Sequence, residues 1–98
     1  MHESVLERMR EYIRSKQYVM TMHAEEEMSD DELTIYDVEH VIFTGKIIER
    51  QKDSIKAEWK YLIQGRALIG DVATVVAKIS ITSKLVIITV FIGRAYDM

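Results

Sequence analysis

Apolar residues recur at helical spacing through the first sixteen positions of the chain. The stripe consists of Val5, Leu6, Met9, Tyr12 and Ile13. Because about 3.6 residues complete one helical turn, these side chains share a face. Ser4 and Glu7 have the spacing of a capping box, and the pattern predicts a helix over residues 4–16. We expect this stripe to cover the domain's own sheet or to form a dimer contact.

A short β-prone segment and a second helix come next. Residues 18–21, with the sequence YVMT, favour extended structure, so we predict a brief edge strand there. Ala24 and Met28 lie four positions apart and share a face of a predicted helix over residues 22–29. Three of the other positions in this helix, Glu25, Glu26 and Glu27, are acidic, which predicts a solvated acidic face.

A third helix has a sharper start signal. Thr34 and Asp37 form a capping box, and Leu33 stands where a hydrophobic staple packs on the helix. The pattern predicts a helix over residues 35–44. Gly45 follows, and we expect it to end the helix in the left-handed conformation that glycine tolerates.

After Gly45 the apolar period changes from helical to alternating. The predicted strands cover residues 46–51, 59–68, 72–81 and 85–92, with a loop at 53–58. Trp59 and Ile63 fall on one face and are expected in the core. Helices followed by a strand meander indicate an α+β fold in a single domain, residues 1–98. Its N-terminal helices pack on a largely antiparallel sheet of four to five strands.

Composition narrows the class of protein. The chain has 98 residues, of which 48% are hydrophobic, and it has no cysteine, which excludes disulfides and thiolate chemistry. The longest apolar run, residues 85–92, is far shorter than the roughly 20 residues that cross a bilayer. Residues 1–17 carry acids and bases throughout, unlike a signal peptide. We therefore expect a cytoplasmic protein with no membrane partner.

Charge is divided unevenly along the chain. Residues 1–45 hold 11 acids and 4 bases, whereas residues 46–98 hold 5 acids and 9 bases. This division favours either self-association through a dipolar surface or a basic face for an anionic partner. The net charge of −3 argues against a dedicated nucleic-acid binder, because such proteins usually have a concentrated basic surface.

His23 is the main candidate for chemistry. It begins the segment HAEEEMSDDE, residues 23–32, which carries six carboxylates. A histidine can act as general acid or base near neutral pH. Alternatively, it starts the helix and bonds to the sheet near Thr89 or Tyr61. Glu27 lies one turn from His23, but consecutive glutamates diverge around a helix, so we predict no bound metal and no cofactor.

The cations of the second half offer another kind of site. Lys60 and Arg66 lie in the strand predicted over residues 59–68, beside Trp59 and Tyr61. A sheet face with cations and aromatic rings can bind single-stranded RNA by charge and stacking. A solvated outer face is the alternative, because Lys60 and Tyr61 point to opposite sides of one strand. The sequence has no phosphate-binding loop and no nucleophile elbow.

These elements and the residues between them resemble a bacterial and archaeal family of domains of unknown function that is grouped with RelE-like toxins. The matching residues are His23-Ala24, Met28, Val38, Ile42, Gly45, Ile47-Ile48-Glu49, Tyr61, Gly65 and Thr89-Val90-Phe91. The resemblance covers residues 18–92 and leaves the first helix, in residues 1–17, outside it. The chain departs from the family pattern at three positions. Glu27 and Asp31 stand where the family tends to have arginines, and Phe91 stands where the family has tyrosine.

The resemblance implies a RelE-like fold and allows two functions. One is a non-catalytic module for self-association as a homodimer or for an antitoxin-like or other protein partner. The other is a toxin-type endoribonuclease that uses His23 with Lys60, Arg66 and Thr89. Acidic residues at two positions of the family pattern place repulsion where a phosphate would bind, so the sequence favours the first function.

Overall fold

The computed structural model describes residues 2–52, 55 and 58–95, and these form three helices and five strands. The helices are α1 (Glu3–Arg14), α2 (Met22–Asp30) and α3 (Ile35–Thr44). The strands are β1 (Tyr18–Met20), β2 (Lys46–Lys52), β3 (Trp59–Arg66), β4 (Val72–Ile79) and β5 (Leu85–Ile92). The predicted α+β class is confirmed. Most of the loop predicted at 53–58 lies outside the described residues.

The strands form one mixed sheet in the order β1-β5-β4-β3-β2. Strands β2 to β5 pair antiparallel with their neighbours in a meander. Strand β1 is the exception, because it pairs parallel with the start of β5, with Tyr18 opposite Leu85 and Met20 opposite Ile87. Strand β5 is therefore second from the edge, and β1 covers only its first three residues.

The core lies between the helices and one face of the sheet. Side chains from all three helices and from the strands form a single buried cluster. Its strand members are Ile47, Tyr61, Ile63, Ala73, Val75, Ala77, Leu85, Ile87 and Val90. Leu6, Met9 and Ile13 of α1 also belong to the cluster. The first helix therefore covers the domain's own sheet, which is one of the two predicted uses of its stripe.

The opposite face of the sheet points away from this cluster. Its residues are Lys60, Leu62, Gln64 and Arg66 of β3 with Thr74, Val76 and Lys78 of β4, because side chains alternate along each strand. Leu62 pairs with Val76 across the two strands. Both side chains are buried but lie outside the main cluster. We call this surface the open face.

Several local expectations are wrong. Helix α1 begins at Glu3, one residue earlier than predicted, and its N-cap is His2 in a left-handed conformation, so Ser4 and Glu7 do not cap it. Trp59 is 39% exposed rather than buried, because it begins β3 at the margin of the sheet. Strand β4 ends at Ile79, and Ile81 in the following turn is exposed.

Gly45 ends α3 for a different reason from the expected one. Its φ and ψ angles, −90° and −169°, are extended and not left-handed. A Cβ at this position would stand 2.5 Å from the carbonyl oxygens of Val41 and Gln64. Glycine is therefore required by the close approach of the helix end to β3, and the sequence does not reveal that approach.

Candidate anion-binding site

The acidic helix α2 covers an edge of the sheet. Strand β1 pairs only with the first three residues of β5. The outward-facing N–H groups in the rest of β5 therefore need hydrogen-bond acceptors from an element that is not a strand. The Glu27 carboxylate accepts a hydrogen bond from Val90 N–H at 3.2 Å, and Asp31 accepts one from Ile92 N–H at 2.9 Å. Four helical residues rise about 6 Å, close to the roughly 6.6 Å spanned by two strand residues. The prediction of a solvated acidic face is therefore wrong for Glu27, which is only partly exposed, whereas Asp31 remains exposed while it bonds to β5.

His23 lies on the outer side of α2. Its Nε2 is 3.1 Å from the Glu27 carboxylate, and its side chain is 65% exposed. The expected position near Thr89 or Tyr61 is not what the structure shows, since Glu27 is the partner of His23 and the Tyr61 ring packs against His2. In the described part of the chain, no three or more histidine, cysteine or acidic side chains are grouped to hold a metal ion.

A cleft of about 470 Å³ opens where the end of α3 meets β2 and β3. Its polar side chains are His40, Thr44, Lys46, Gln64, Arg66 and Arg94. No acidic side chain lines it among the described residues. Gly45 and Gly65 contribute backbone to its wall. We call it the basic cleft. Its cations concentrate positive potential in a concave site, and such a site attracts phosphate or carboxylate groups.

His40 is held in the basic cleft by the strand beside it. Its Nδ1 lies 2.6 Å from the carbonyl oxygen of Arg66. A carbonyl oxygen only accepts hydrogen bonds, so Nδ1 carries the hydrogen. In the neutral ring, Nε2 is then the nitrogen with the free lone pair. The contact fixes the tautomer of a side chain that can exchange a proton at Nε2.

The start of α3 is fixed by Asp37. The predicted capping contact is present, because Asp37 accepts a hydrogen bond from Thr34 N–H at 2.8 Å. The same carboxylate accepts a hydrogen bond from Leu68 N–H in the β3–β4 turn, also at 2.8 Å. Burial raises the pKa of Asp37, but these backbone hydrogen bonds outweigh burial and hold the pKa below its ordinary value. Asp37 therefore ties α3 to the end of β3.

The end of α3 is fixed by the first helix. Arg10 Nε donates to the Ile42 carbonyl at 2.9 Å, and Arg10 Nη2 donates to the Gly45 carbonyl at 3.0 Å. Carbonyls at a helix C-terminus have no intrahelical partner, so the guanidinium satisfies acceptors that need one. Helix α3 is thus held at both ends, with His40 between them.

The structure separates the four site residues predicted from sequence. Arg66 lines the basic cleft, whereas Lys60 lies six residues away along β3, about 20 Å by strand geometry. Thr89 is on β5 and faces the open side, and His23 lies at the sheet edge on α2. Their catalytic roles stay a prediction, but these residues do not converge on one cleft.

His40 was missed by sequence reasoning. Its partner Arg66 is 26 positions away, and only the packing of α3 on β3 brings them together. The sequence did contain a local signal for a polar site. His40 and Thr44 share one face of α3, and Gly45 and Lys46 follow Thr44 directly. That signal is weak, because polar residues on the outer face of a helix are usual.

These features describe a small α+β domain with a basic cleft at one corner of its sheet. The chain belongs to the family described as a domain of unknown function (DUF4258), whose model matches residues 20–92. Helix α1 lies outside the matched region. No curated protein and no solved structure matches the chain. Within the described residues, no helix has the length and apolar character needed to cross a membrane.

Proposed function

We propose that this domain binds RNA through phosphate groups held in the basic cleft. The observation that carries the proposal is that Lys46, Arg66 and Arg94 line one concave site that has no acidic lining residue in the described chain. The Arg66 guanidinium also donates to the Gly70 carbonyl at 2.8 Å. Guanidinium groups offer paired donors that match a phosphate, and lysine adds a mobile charge. The net charge of the protein is negative, but Glu27 and Asp31 lie against β5 and do not line the basic cleft.

His40 gives the cleft a group for proton exchange with a bound phosphodiester. Its Nδ1 is engaged by Arg66, which leaves Nε2 as the exchangeable nitrogen. Of the two functions that the family resemblance allows, this arrangement supports the RNA-directed one. It assigns proton exchange with the phosphodiester to His40, whereas the sequence analysis had proposed His23 for this role.

Binding is tested with a fluorescently labelled single-stranded RNA and anisotropy over a range of salt concentrations. Neutralising three phosphates on a single strand gives a slope of log affinity against log salt of about −2. Lys46→Ala and Arg94→Ala should each weaken binding and flatten the slope. Lys84→Ala, in the exposed turn before β5, is the matched control and should change neither. Equal affinities in all three variants would overturn the proposal.

A toxin-type activity is tested by induced expression in a bacterium. Growth arrest that is lost in His40→Ala and retained in His23→Ala would place the activity in the basic cleft. The reverse pattern would support the site predicted from sequence. Gel analysis of labelled RNA after incubation with each variant then separates RNA cleavage from binding alone.

The non-catalytic interaction module is a second candidate, and an exposed apolar patch favours it. Tyr36, Leu68 and Ile69 are all more than half exposed. Asp37 accepts a hydrogen bond from Leu68 N–H and so holds the β3–β4 turn at the start of α3, the helix that also carries Tyr36. Aliphatic residues at the tip of a turn are unusual, since turns favour polar residues. Light scattering of Leu68→Ser and Ile69→Ser against the parent tests self-association through this patch.

A further inference from the structure

The positive charge of the basic cleft is confined to one corner of the open face. Among the described residues, the next cations on this face are Lys60 of β3 and Lys78 of β4. Lys60 lies six residues along β3 from Arg66, about 20 Å of extended chain. The buried apolar pair Leu62 and Val76 lies between them. Proteins that bind the interior of a single strand have a basic groove that follows its backbone, and the described part of the open face has no such groove.

Acidic residues lie on the elements next to the basic cleft. Glu49 shares the open face of the sheet, because it pairs with Leu62 across β2 and β3. Asp71 stands exposed directly before β4. Asp31 bonds to Ile92 N–H at the end of β5. A strand that crossed the cleft and continued over these elements would bring its phosphates towards carboxylates, and such juxtaposition of like charges opposes binding.

The charge and size of the basic cleft match the end of a strand. Lys46, Arg66 and Arg94 carry three permanent positive charges. A phosphodiester has one negative charge, whereas a phosphomonoester has about two near neutral pH. A terminal phosphate and the adjoining phosphodiester therefore carry about three. The volume of about 470 Å³ is in the lower part of the range of roughly 300–1,000 Å³ found for sites that hold one small ligand.

We propose that the basic cleft recognises the phosphorylated end of an RNA strand, and that the group it binds is a terminal phosphomonoester. This inference rests on the proposed function, because it specifies which phosphate of the RNA the cleft takes. Lys46, Arg66 and Arg94 neutralise the terminal phosphate and the adjoining phosphodiester. The charge match involves no base, so recognition depends on the end of the strand and not on its sequence.

The test compares RNA strands that differ only at their ends. Nuclear magnetic resonance shifts of the Gly45 and Gly65 amides report binding at the cleft, because both glycines line it. Octauridylate with a 5′-phosphate or a 3′-phosphate is titrated beside octauridylate with hydroxyl groups at both ends. At least one phosphorylated form should bind about tenfold more tightly than the hydroxyl-ended form, the gain expected from a further charge-assisted contact.

Total charge is controlled with a longer strand. Hydroxyl-ended decauridylate has about the same total charge as the phosphorylated octamer, because two further phosphodiesters replace the terminal phosphate. It should bind within about twofold of the hydroxyl-ended octamer. If it binds as tightly as the phosphorylated octamer, total charge and not the strand end determines affinity, and the inference is wrong.

Variants locate the preference in the cleft. Lys46→Ala and Arg94→Ala should each reduce the ratio of the affinities for phosphorylated and hydroxyl-ended octamers, because each removes a cation that neutralises the terminal phosphate. Both side chains are exposed, so the variants should fold as the parent does. Lys84→Ala is again the matched control and should keep the ratio. The parent ratio in both cleft variants would contradict the assignment of the terminal phosphate to this site.

Uridine monophosphates separate an RNA end from a free nucleotide, since both present a phosphomonoester. The 5′- and 3′-monophosphates should shift the Gly45 and Gly65 amides but bind more weakly than the phosphorylated octamer, because they lack the adjoining phosphodiester. Equal affinity would assign the cleft to a free nucleotide and overturn RNA binding. Equal affinities of all the octamers would overturn the preference for an end and leave the proposed function standing. Absence of shifts with every RNA would overturn both.

Discussion

The backbones of Gly45 and Gly65 pack directly against each other. A Cβ on Gly65 would stand 2.9 Å from the Cα of Gly45 and 2.8 Å from the carbonyl oxygen of Val41. The two glycines belong to different elements, since Gly45 follows α3 and Gly65 lies within β3. Their missing side chains let the helix end approach the strand, and this approach brings His40 onto the carbonyl of Arg66.

Gly65→Ala should destabilise the fold and open the basic cleft. The added methyl group meets backbone atoms that cannot rotate away. We therefore expect the free energy of unfolding to fall by about 1–3 kcal/mol, as in an overpacked core. Urea denaturation measures this loss. Gly70→Ala is the comparison, because nothing lies within 4 Å of its Cβ position and only its positive φ opposes a side chain. Equal RNA affinity in Gly65→Ala and the parent would contradict the role given to this contact.

Arg10→Met should loosen the junction between α1 and α3. The substitution keeps much of the apolar stem but leaves the Ile42 and Gly45 carbonyls without the guanidinium. We expect a cost of about 1.5–3 kcal/mol, typical of hydrogen bonds from a charged donor. Arg8→Met on the same helix is the control and should cost under about 0.5 kcal/mol, because its side chain is exposed. Similar losses of unfolding free energy in both variants would argue against a specific role for Arg10 in capping the end of α3.

Asp37 should make stability depend on acid pH. Its pKa is lowered in the folded protein, so the unfolded chain binds this proton more readily than the folded one does. The stabilisation is complete above the unfolded-state pKa of about 3.9 and is lost as pH falls through the lower folded-state value. The unfolding free energy should therefore decline as pH falls from about 5 towards 2.

The Asp37→Asn variant should show a shallower decline over that range and lower stability at pH 7. Denaturant titrations at several pH values measure both effects. Asp71→Asn is the control, because that side chain lies in the exposed β3–β4 turn. An unchanged acid profile in Asp37→Asn would show that other carboxylates dominate the acid response.

Glu27 and Asp31 should prevent association through the edge of β5. This strand, LVIITVFI, has high β-propensity and no charge, proline or glycine, which are features of segments that pair between molecules. The double substitution Glu27→Ala with Asp31→Ala removes both carboxylates that bond to the edge. We expect faster hydrogen exchange at Val90 and Ile92 and concentration-dependent aggregation in light scattering.

The matched control for this prediction uses the exposed acids of the same helix. Glu25→Ala with Glu26→Ala changes the net charge by the same amount but leaves the edge contacts intact. It should remain as soluble as the parent and keep slow exchange at Val90 and Ile92. Aggregation of both double variants to the same extent would attribute the effect to charge and not to the edge.

The sequence predicted the elements well where a local signal was strong. The stripe on α1 specified a helix and its buried face, and the box formed by Thr34 and Asp37 specified the start of α3. Alternation located the strands of the meander to within two residues. These signals depend on periods and caps inside one element, so they do not require a neighbour to be known.

The functional residues were predicted less well, because their roles depend on contacts between elements. Glu27 looked like one of several solvated acids, but its position opposite the unpaired edge of β5 gives it a backbone partner. Trp59 had the alternation of a core residue, but its place at the sheet margin leaves it exposed. Arg66 was selected for its charge, while its partner His40 was not.

The sequence by itself determined the class of fold, the helix that carries the acids and the apolar faces that form the core, since each follows from local spacing. The tertiary structure alone decided that Gly45 meets Gly65, that two carboxylates replace a missing strand, and that His40 joins Arg66. Each of these contacts joins residues at least 20 positions apart. Local patterns cannot specify such pairs, because the register and packing of whole elements set the distances between them.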